Sequence, residues 1–209
     1  MVRSLVLPAL VAVAPAALAA QAPDTTRLPV VEVTATRLPT RPDAVTAATT
    51  VIRGEELQLR GVRTVLEALR DVPGAAVVQT GSFGGITSLF LRGGESDYVK
   101  VLVDGVPLNL PGGALDLANL TTDNLDRIEV VRGPVGVLYG SDAVSGVIQL
   151  FTRRGDGGSR GSAAAQAGTF GTTRLEASAS GGEGDAGYAA SLSRFASDGT
   201  YGFNNAYRN

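Results

Sequence analysis

Residues 98–110 read YVKVLVDGVPLNL, and this stretch decides the fold class. Val99, Val101 and Val103 occupy alternate positions, so they share one face of an extended strand. Asp104 and Gly105 form a dipeptide suited to a two-residue hairpin turn, where both central residues need positive φ. Val106, Leu108 and Leu110 continue the alternation on the return strand. Pro107 has no N–H to give a neighbour, so that strand is expected to be short or at an edge.

The flanking sequence supplies partners for this hairpin. Residues 47–53 (AATTVIR), 75–79 (AAVVQ), 88–92 (SLFLR), 127–132 (RIEVVR) and 146–152 (GVIQLFT) read as further strands. Residues 54–59 (GEELQL) begin a short helix with acids in its first turn, where the helix dipole favours them. Val62, Val65, Leu66 and Leu69 fall at helical spacing, which predicts a second helix over 62–69, closed by Pro73 and Gly74. Residues 135–139 predict a turn or short helix ended by Gly140. The expected fold is an α/β (α+β) domain with a small mixed sheet and short helices.

Composition narrows the function. The 209 residues carry a net charge of −2 with both signs interspersed, which argues against a nucleic-acid surface. Cysteine and histidine are both absent. Thiolate nucleophiles, histidine-based triads and the usual zinc sites therefore have no ligands or bases to use. Asp97, Asp104, Asp116 and Asp126 are scattered over separate turns, so no catalytic constellation emerges, and neither an enzyme nor a cofactor is expected. The glycine-rich loop 80–87 (TGSFGGIT) lacks the lysine of a phosphate loop and leads into a strand.

The N-terminus points to export. Met1-Val2-Arg3 gives a positive start, and an apolar run from Leu5 to Leu18 is broken by Pro8 and Pro15. Ala17-Leu18-Ala19 fits the small-x-small cleavage rule, so residues 1–20 are expected to be removed. The competing reading, a short membrane anchor, needs about 20 uninterrupted apolar residues. Beyond it, Val30, Val31 and Val33 favour extended backbone between prolines. Such a strip suits strand addition to a partner, or an ordinary edge strand.

After the joint 153–160 (RRGDGGSR) the pattern changes. Arg174, Glu176, Ser178 and Ser180 alternate with Leu175, Ala177 and Ala179, the polar-in, apolar-out dyad of an outer-membrane strand. Soluble antiparallel sheets show the same alternation. Residues 181–187 (GGEGDAG) read as a turn.

In order along the chain, these segments resemble the TonB-dependent outer-membrane receptors, and within them the cobalamin transporter group. Residues 30–35 (VVEVTA) are similar to a TonB box. Residues 66–74 (LEALRDVPG), 89–93 (LFLRG), 101–109 (VLVDGVPLN), 128–134 (IEVVRGP), 138–143 (LYGSDA) and 146–149 (GVIQ) are similar to successive plug-domain segments. The match covers about 30–154 and extends beyond it only by pattern.

The resemblance implies a signal peptide at 1–20, a periplasmic segment with the TonB box at 21–45, a plug at 46–154 and the start of a barrel at 155–209. It implies that TonB engages Val30, Val31, Glu32, Val33, Thr34 and Ala35. It implies that apical plug loops at 81–87, 93–97 and 109–113 meet a small-molecule substrate through Ser82, Phe83, Glu95, Ser96, Asp97, Asn109 and Leu110. It implies that Arg92, Arg132 and Glu129 belong to a lock between plug and barrel wall. The mixed polar and apolar loop set suits a corrinoid such as cobalamin, with a ferric siderophore as the alternative. After Arg154 there are 209 − 154 = 55 residues. At 9–11 residues per strand these make three or four strands, against about 22 in plugged transporters. The expectation is therefore the N-terminal portion of a receptor in the outer membrane, plug and TonB box toward the periplasm. The alternative is a plug-only periplasmic binding or adapter module.

Overall fold

A computed structural model describes residues 47–208, except Ser82, Ala114, Asp156, Asp185 and 201–205. The export segment and the TonB-box strip lie outside the described residues. The elements follow the chain as β1 (Ala48–Arg53), α1 (Gly54–Leu59), α2 (Val65–Leu69), β2 (Ala75–Gln79), β3 (Thr87–Leu91), β4 (Val99–Val103) and β5 (Val106–Pro107). Then come β6 (Leu125–Arg132), α3 (Gly136–Tyr139), β7 (Gly146–Thr152), β8 (Arg160–Ala167), β9 (Thr173–Glu183), β10 (Ala186–Ser197) and β11 (Tyr207–Arg208).

The first sheet has the order β1-β6-β7-β4-β5, with β4 and β7 parallel and the other pairs antiparallel. Its central strands β6 and β7 bury both faces, as their unbroken apolar runs require. One face packs Val99, Val101, Ile128, Val130, Ile148 and Leu150 against Leu57, Val65, Leu66 and Leu69 of the two helices. The other gathers Leu102, Val131, Tyr139, Ala143 and Val147. A separate hairpin pairs β2 with β3.

The hairpin expected at Asp104-Gly105 is present, with φ of 49° and 86°. The Asp104 carboxylate also accepts from the Thr152 N–H at 3.0 Å and its hydroxyl at 2.7 Å, tying the turn to the end of β7. The return strand, in contrast, ends at Pro107 and sits at the sheet edge. Val106 and Leu110 are exposed, and the alternation past Pro107 forms no ladder. The second helix starts at Val65 and not at Val62. Thr64 takes a β conformation and closes a capping box with Glu67, which fixes the start three residues later than periodicity alone suggests.

Residues 160–208 form a second sheet in the order β11-β10-β9-β8, wholly antiparallel. Along β9, Arg174, Glu176, Ser178 and Ser180 are half-buried while Thr173, Leu175, Ala177 and Ala179 are exposed. The polar side faces the domain and the apolar side faces outward. The glycine-rich stretch 181–187 is mostly strand, with a turn at Gly184. Its glycines answer to a close approach: a Cβ on Gly182 or Gly187 would collide with the Gly155 backbone of the joint. The joint is held there by the Gly182 N–H, which donates to the Gly157 carbonyl at 2.8 Å.

Candidate functional site

The loop 81–87 is fixed at both ends. Thr87 donates through its N–H (3.1 Å) and hydroxyl (2.9 Å) to Asp116, which also accepts from the Ala118 N–H at 3.0 Å. Burial pushes the Asp116 carboxyl up, but these three donors outweigh it and hold the group below its ordinary value. At the loop tip, the Phe83 ring meets Phe195 of β10 edge-on at 5.1 Å. The Arg63 guanidinium lies 4.8 Å from the Phe83 centroid and 4.2 Å from that of Phe195. The capping box orients it: the Arg63 N–H donates to Glu67 at 2.9 Å. Tyr207 lies against Gly84, and its hydroxyl donates to Asn119 at 2.7 Å. Phe83 is 40 % exposed, so it keeps one edge free while its ring anchors the loop to the strands. Ser82 lies outside the described residues.

Loops 93–97 and 109–113 are held to each other. Gly113, at φ 90°, sits so close to the Asp97 carbonyl that no Cβ fits. Glu95, Asp97 and Leu110 are exposed and Ser96 is half-buried. Asn109 has a different job from the one expected. Its Oδ1 accepts from the Val101 N–H at 2.7 Å, and both its amide hydrogens go to carbonyls, of Val99 (3.0 Å) and Gly113 (2.7 Å). It shapes the loop and has no hydrogen left to give a ligand.

Arg92 and Arg132 flank the same turn. The Arg92 N–H donates to the Gly74 carbonyl at 2.8 Å, and Arg132 donates to the Pro73 carbonyl at 2.7 Å and to the Thr50 hydroxyl at 3.0 Å. Among the described residues neither has an ion pair. The Arg132 Nε is buried without a partner, and Arg92 is exposed in the left-handed region at φ 51°. Glu129, expected beside Arg132, is fully buried and accepts instead from Arg127 Nε at 2.8 Å. Arg127 in turn covers the Phe151 ring at 3.9 Å.

Sequence reasoning missed the contact that joins the two sheets. Arg174 of β9 reaches the Asp123 carboxylate at 3.0 Å and also pairs with Glu176. The Arg174 and Asp123 side chains are only 11 % and 12 % exposed. The signal was present in Arg174 as an inward position of the dyad, but its partner lies 51 residues earlier in an irregular segment. Between Arg63, Glu67, Phe83, Asp123, Arg174 and Phe195 lies a cavity of about 190 Å³. Small-molecule pockets run to about 300–1,000 Å³, so this space takes waters or a side chain and not a large ligand. Among the described residues, no group of His, Cys, Asp or Glu could hold a metal. No described helix is long and apolar enough to cross a membrane, which leaves the strands untouched as a route.

The family model "TonB-dependent Receptor Plug Domain" matches residues 41–147, over half of the chain. The chain belongs to this family. Its α/β domain is a plug, and β8–β11 are antiparallel strands that follow it. A curated relative, the vitamin B12 transporter BtuB of Vibrio vulnificus, is 41 % identical over 122 residues, covering 58 % of this chain and 20 % of its own. The ferric yersiniabactin uptake receptor FyuA from Yersinia pestis is similar in structure, with a TM-score of 0.59 at 26 % identity, over 74 % of this chain and 24 % of that one. The pyoverdine outer membrane receptor FpvA from Pseudomonas aeruginosa PAO1 gives 0.68 at 20 % identity, over 79 % and 24 %. The chain thus spans about a fifth of the length of the curated relative.

Proposed function

We propose that this chain is the N-terminal portion of an outer-membrane receptor that takes up a corrinoid, cobalamin or a close relative, with energy delivered by TonB. The observation that carries the reading is the 41 % identity, over 122 residues, to a protein named as a vitamin B12 transporter. The strands add support. Along β9 the polar face turns to the plug and the apolar face turns away, the arrangement of a barrel with a polar interior.

In this reading, residues 1–20 direct export and Val30, Val31, Glu32, Val33, Thr34 and Ala35 form the strip that pairs with TonB by strand addition. Glu95, Ser96, Asp97, Leu110 and the free edge of Phe83 are the ligand-facing set, with Asn109 holding the third loop in shape. Arg92 and Arg132 await acidic partners on the barrel wall: the buried, unpartnered Nε of Arg132 supports this. Chemistry on the substrate is not part of the mechanism. The plug fills the barrel until TonB pulls on the N-terminal strip.

The test is equilibrium binding of cyanocobalamin, against a panel of ferric siderophores, to the receptor with its barrel complete. Cobalamin binding that weakens in Asp97→Ala and Leu110→Ala variants is expected. A ferric siderophore is the second reading, favoured by the 26 % identical neighbour named for ferric yersiniabactin. Siderophore binding without cobalamin binding would replace the first reading with it.

A further inference from the structure

The loop that carries Phe83 is closed at its neck and bolted at its base, and both sets of bonds lie inside the plug. At the neck, Thr80 donates twice to the Ile86 carbonyl, through its N–H at 3.0 Å and its hydroxyl at 3.1 Å. At the base, Thr87 is buried and directs both of its donors to one atom, Oδ1 of Asp116. The Ala118 N–H reaches the same oxygen and closes an Asx turn, which sets the direction of the carboxylate. An ionised acceptor strengthens all three bonds.

Asp116 stands on a fixed base. Leu117 and Ala118, next in the chain, are buried. The Leu120 carbonyl accepts from the Val65 N–H at 2.9 Å. Thr122 donates to the Arg63 carbonyl at 3.0 Å through its N–H and to the Val62 carbonyl at 2.7 Å through its hydroxyl. Residues 117–122 are thereby fastened to the start of α2. On its other side Asp116 is continuous with Gly113, which touches the Asp97 carbonyl and gives its own carbonyl to Asn109. A single carboxylate therefore joins loop 81–87 to the pair of loops 93–97 and 109–113. The other brace on loop 81–87, the Phe83 ring against Arg63 and Phe195, ties it to the strands instead.

We infer that Asp116 is a positioning residue for the ligand: it sets the spacing between the Phe83 loop and the two loops that carry Asp97 and Leu110. The inference rests on the receptor reading above for its ligand, while the tie itself does not. Asp116 works by preorganisation. A loop already held in its bound position is not ordered by the ligand, so no ordering cost is subtracted from affinity. With the tie cut, loop 81–87 keeps its neck and its contacts to the strands but loses its register with the other two loops. The ligand then has to restore that register each time it binds.

The chemistry of the tie predicts an order of variants. All three donors meet Oδ1, so Asp116→Asn keeps an acceptor of the same shape, weaker because it is uncharged, and Asp116→Ala keeps none. Thr87→Val removes the hydroxyl donor alone and leaves the N–H in place. Positioning through Oδ1 therefore runs Asp, then Asn, then Ala, with Thr87→Val beside Asn.

The test uses the receptor with its barrel complete and two readouts. The first needs no ligand. Residues 1–209 hold no cysteine, so spin labels at Ile86→Cys and Leu110→Cys, both exposed positions, report the distance between the two loops once any cysteine of the barrel is replaced. Pulsed dipolar spectroscopy should give one narrow distance with Asp116 in place, a broad distribution with Asp116→Ala and a narrow one again with Asp116→Asn. The second is equilibrium binding of cyanocobalamin to unlabelled protein. It should weaken about tenfold in Asp116→Ala and about threefold in Asp116→Asn and in Thr87→Val. Thr87→Val should add little to Asp116→Ala, since both break one tie. A distance as narrow in Asp116→Ala as in wild type overturns the inference, and so does unchanged affinity. If Asp116→Ala does not fold, Thr87→Val carries both readouts, and wild-type values in it overturn the inference. Wild type that binds a ferric siderophore and no cobalamin defeats the corrinoid reading alone; the distances and the same variants measured on that siderophore then decide the role of Asp116.

Discussion

The seam between plug and strands rests on Arg174, and its loss should cost more than the loss of the acid it grips. Arg174→Ala strands two carboxylates. Asp123 is 12 % exposed and Glu176 is 22 % exposed, so each is left charged with little water to replace the guanidinium. Breaking a fully buried pair costs about 3–5 kcal/mol. The residual exposure here lowers that to about 3 kcal/mol. Asp123→Asn is milder, because Arg174 keeps Glu176 and the amide oxygen still accepts; about 1–2 kcal/mol is expected. The assay exploits the absence of native cysteine. A single Ala68→Cys, at 1 % exposure, reacts with a thiol reagent only when the plug opens. At a urea slope of about 2 kcal/mol per molar, Arg174→Ala should bring the labelling midpoint down by about 1.5 M, and Asp123→Asn by about 0.5–1 M. The double variant should fall little below Arg174→Ala alone, since both changes break one contact. Midpoints unchanged within about 0.3 M, or a larger drop for Asp123→Asn than for Arg174→Ala, would refute the argument.

The same assay reaches other sites. The Asp116 carboxyl is held below its ordinary value when folded, so its contribution is present above the unfolded pKa of about 4 and is lost as pH falls through the folded value. Acidification below about pH 4 should therefore lower the wild-type midpoint more than that of Asp116→Asn; identical profiles would count against the Thr87–Asp116 tie. In residues 1–209 expressed alone, Arg92→Gly should raise the midpoint, because the left-handed backbone costs a non-glycine residue about 1–2 kcal/mol and no described side-chain bond is lost. A fall in the midpoint would mean that the guanidinium already has a partner. Gly182→Ala should disturb the joint by about 1–3 kcal/mol, since the new Cβ collides with Gly155, while Gly158→Ala meets nothing and should be neutral. Equal effects on heat-modifiable migration would remove the close approach as the reason for glycine at 182.

Local rules carried the plug because its strands obey them singly. β2 and β7 fall on the residues expected, and the Asp104-Gly105 turn takes the backbone its dipeptide prescribes. The misses share one cause: a signal that is not local. Helical spacing placed Val62 in α2, yet the Thr64–Glu67 box starts the helix at Val65, and Val62 packs against the core from outside it. Glycine density in 181–187 suggested a turn, yet Gly182 and Gly187 answer to Gly155, which passes close to them from 27 residues before the first of the two (182 − 155 = 27). Alternation past Pro107 suggested a longer strand, yet Asn109 spends its amide on the backbone of β4 and folds the chain back.

The site was less legible than the fold for the same reason in sharper form. A loop residue's chemistry depends on what its side chain has already bonded, and composition is silent on that. Asn109 and Asp97 are equally polar in sequence, but the first is consumed by three backbone contacts and the second is exposed. Phe83 reads as a free apolar loop tip, but Phe195 and Arg63 hold its ring, so the loop it stands on is braced by the strands as well as by the plug. The Phe83–Phe195 contact and the Arg174–Asp123 pair lie in one seam. A ligand pressing on the 81–87 loop therefore loads the same contacts that hold plug to strand. If ligand occupancy is to be sensed at the plug's seam, the Phe83–Phe195–Arg63 contact is a route to it. The check is whether Arg63→Ala, which removes both ring contacts and leaves Asp123–Arg174 intact, lowers the labelling midpoint less with ligand bound than without it. An equal drop in both states would make Arg63 a structural brace with no part in sensing.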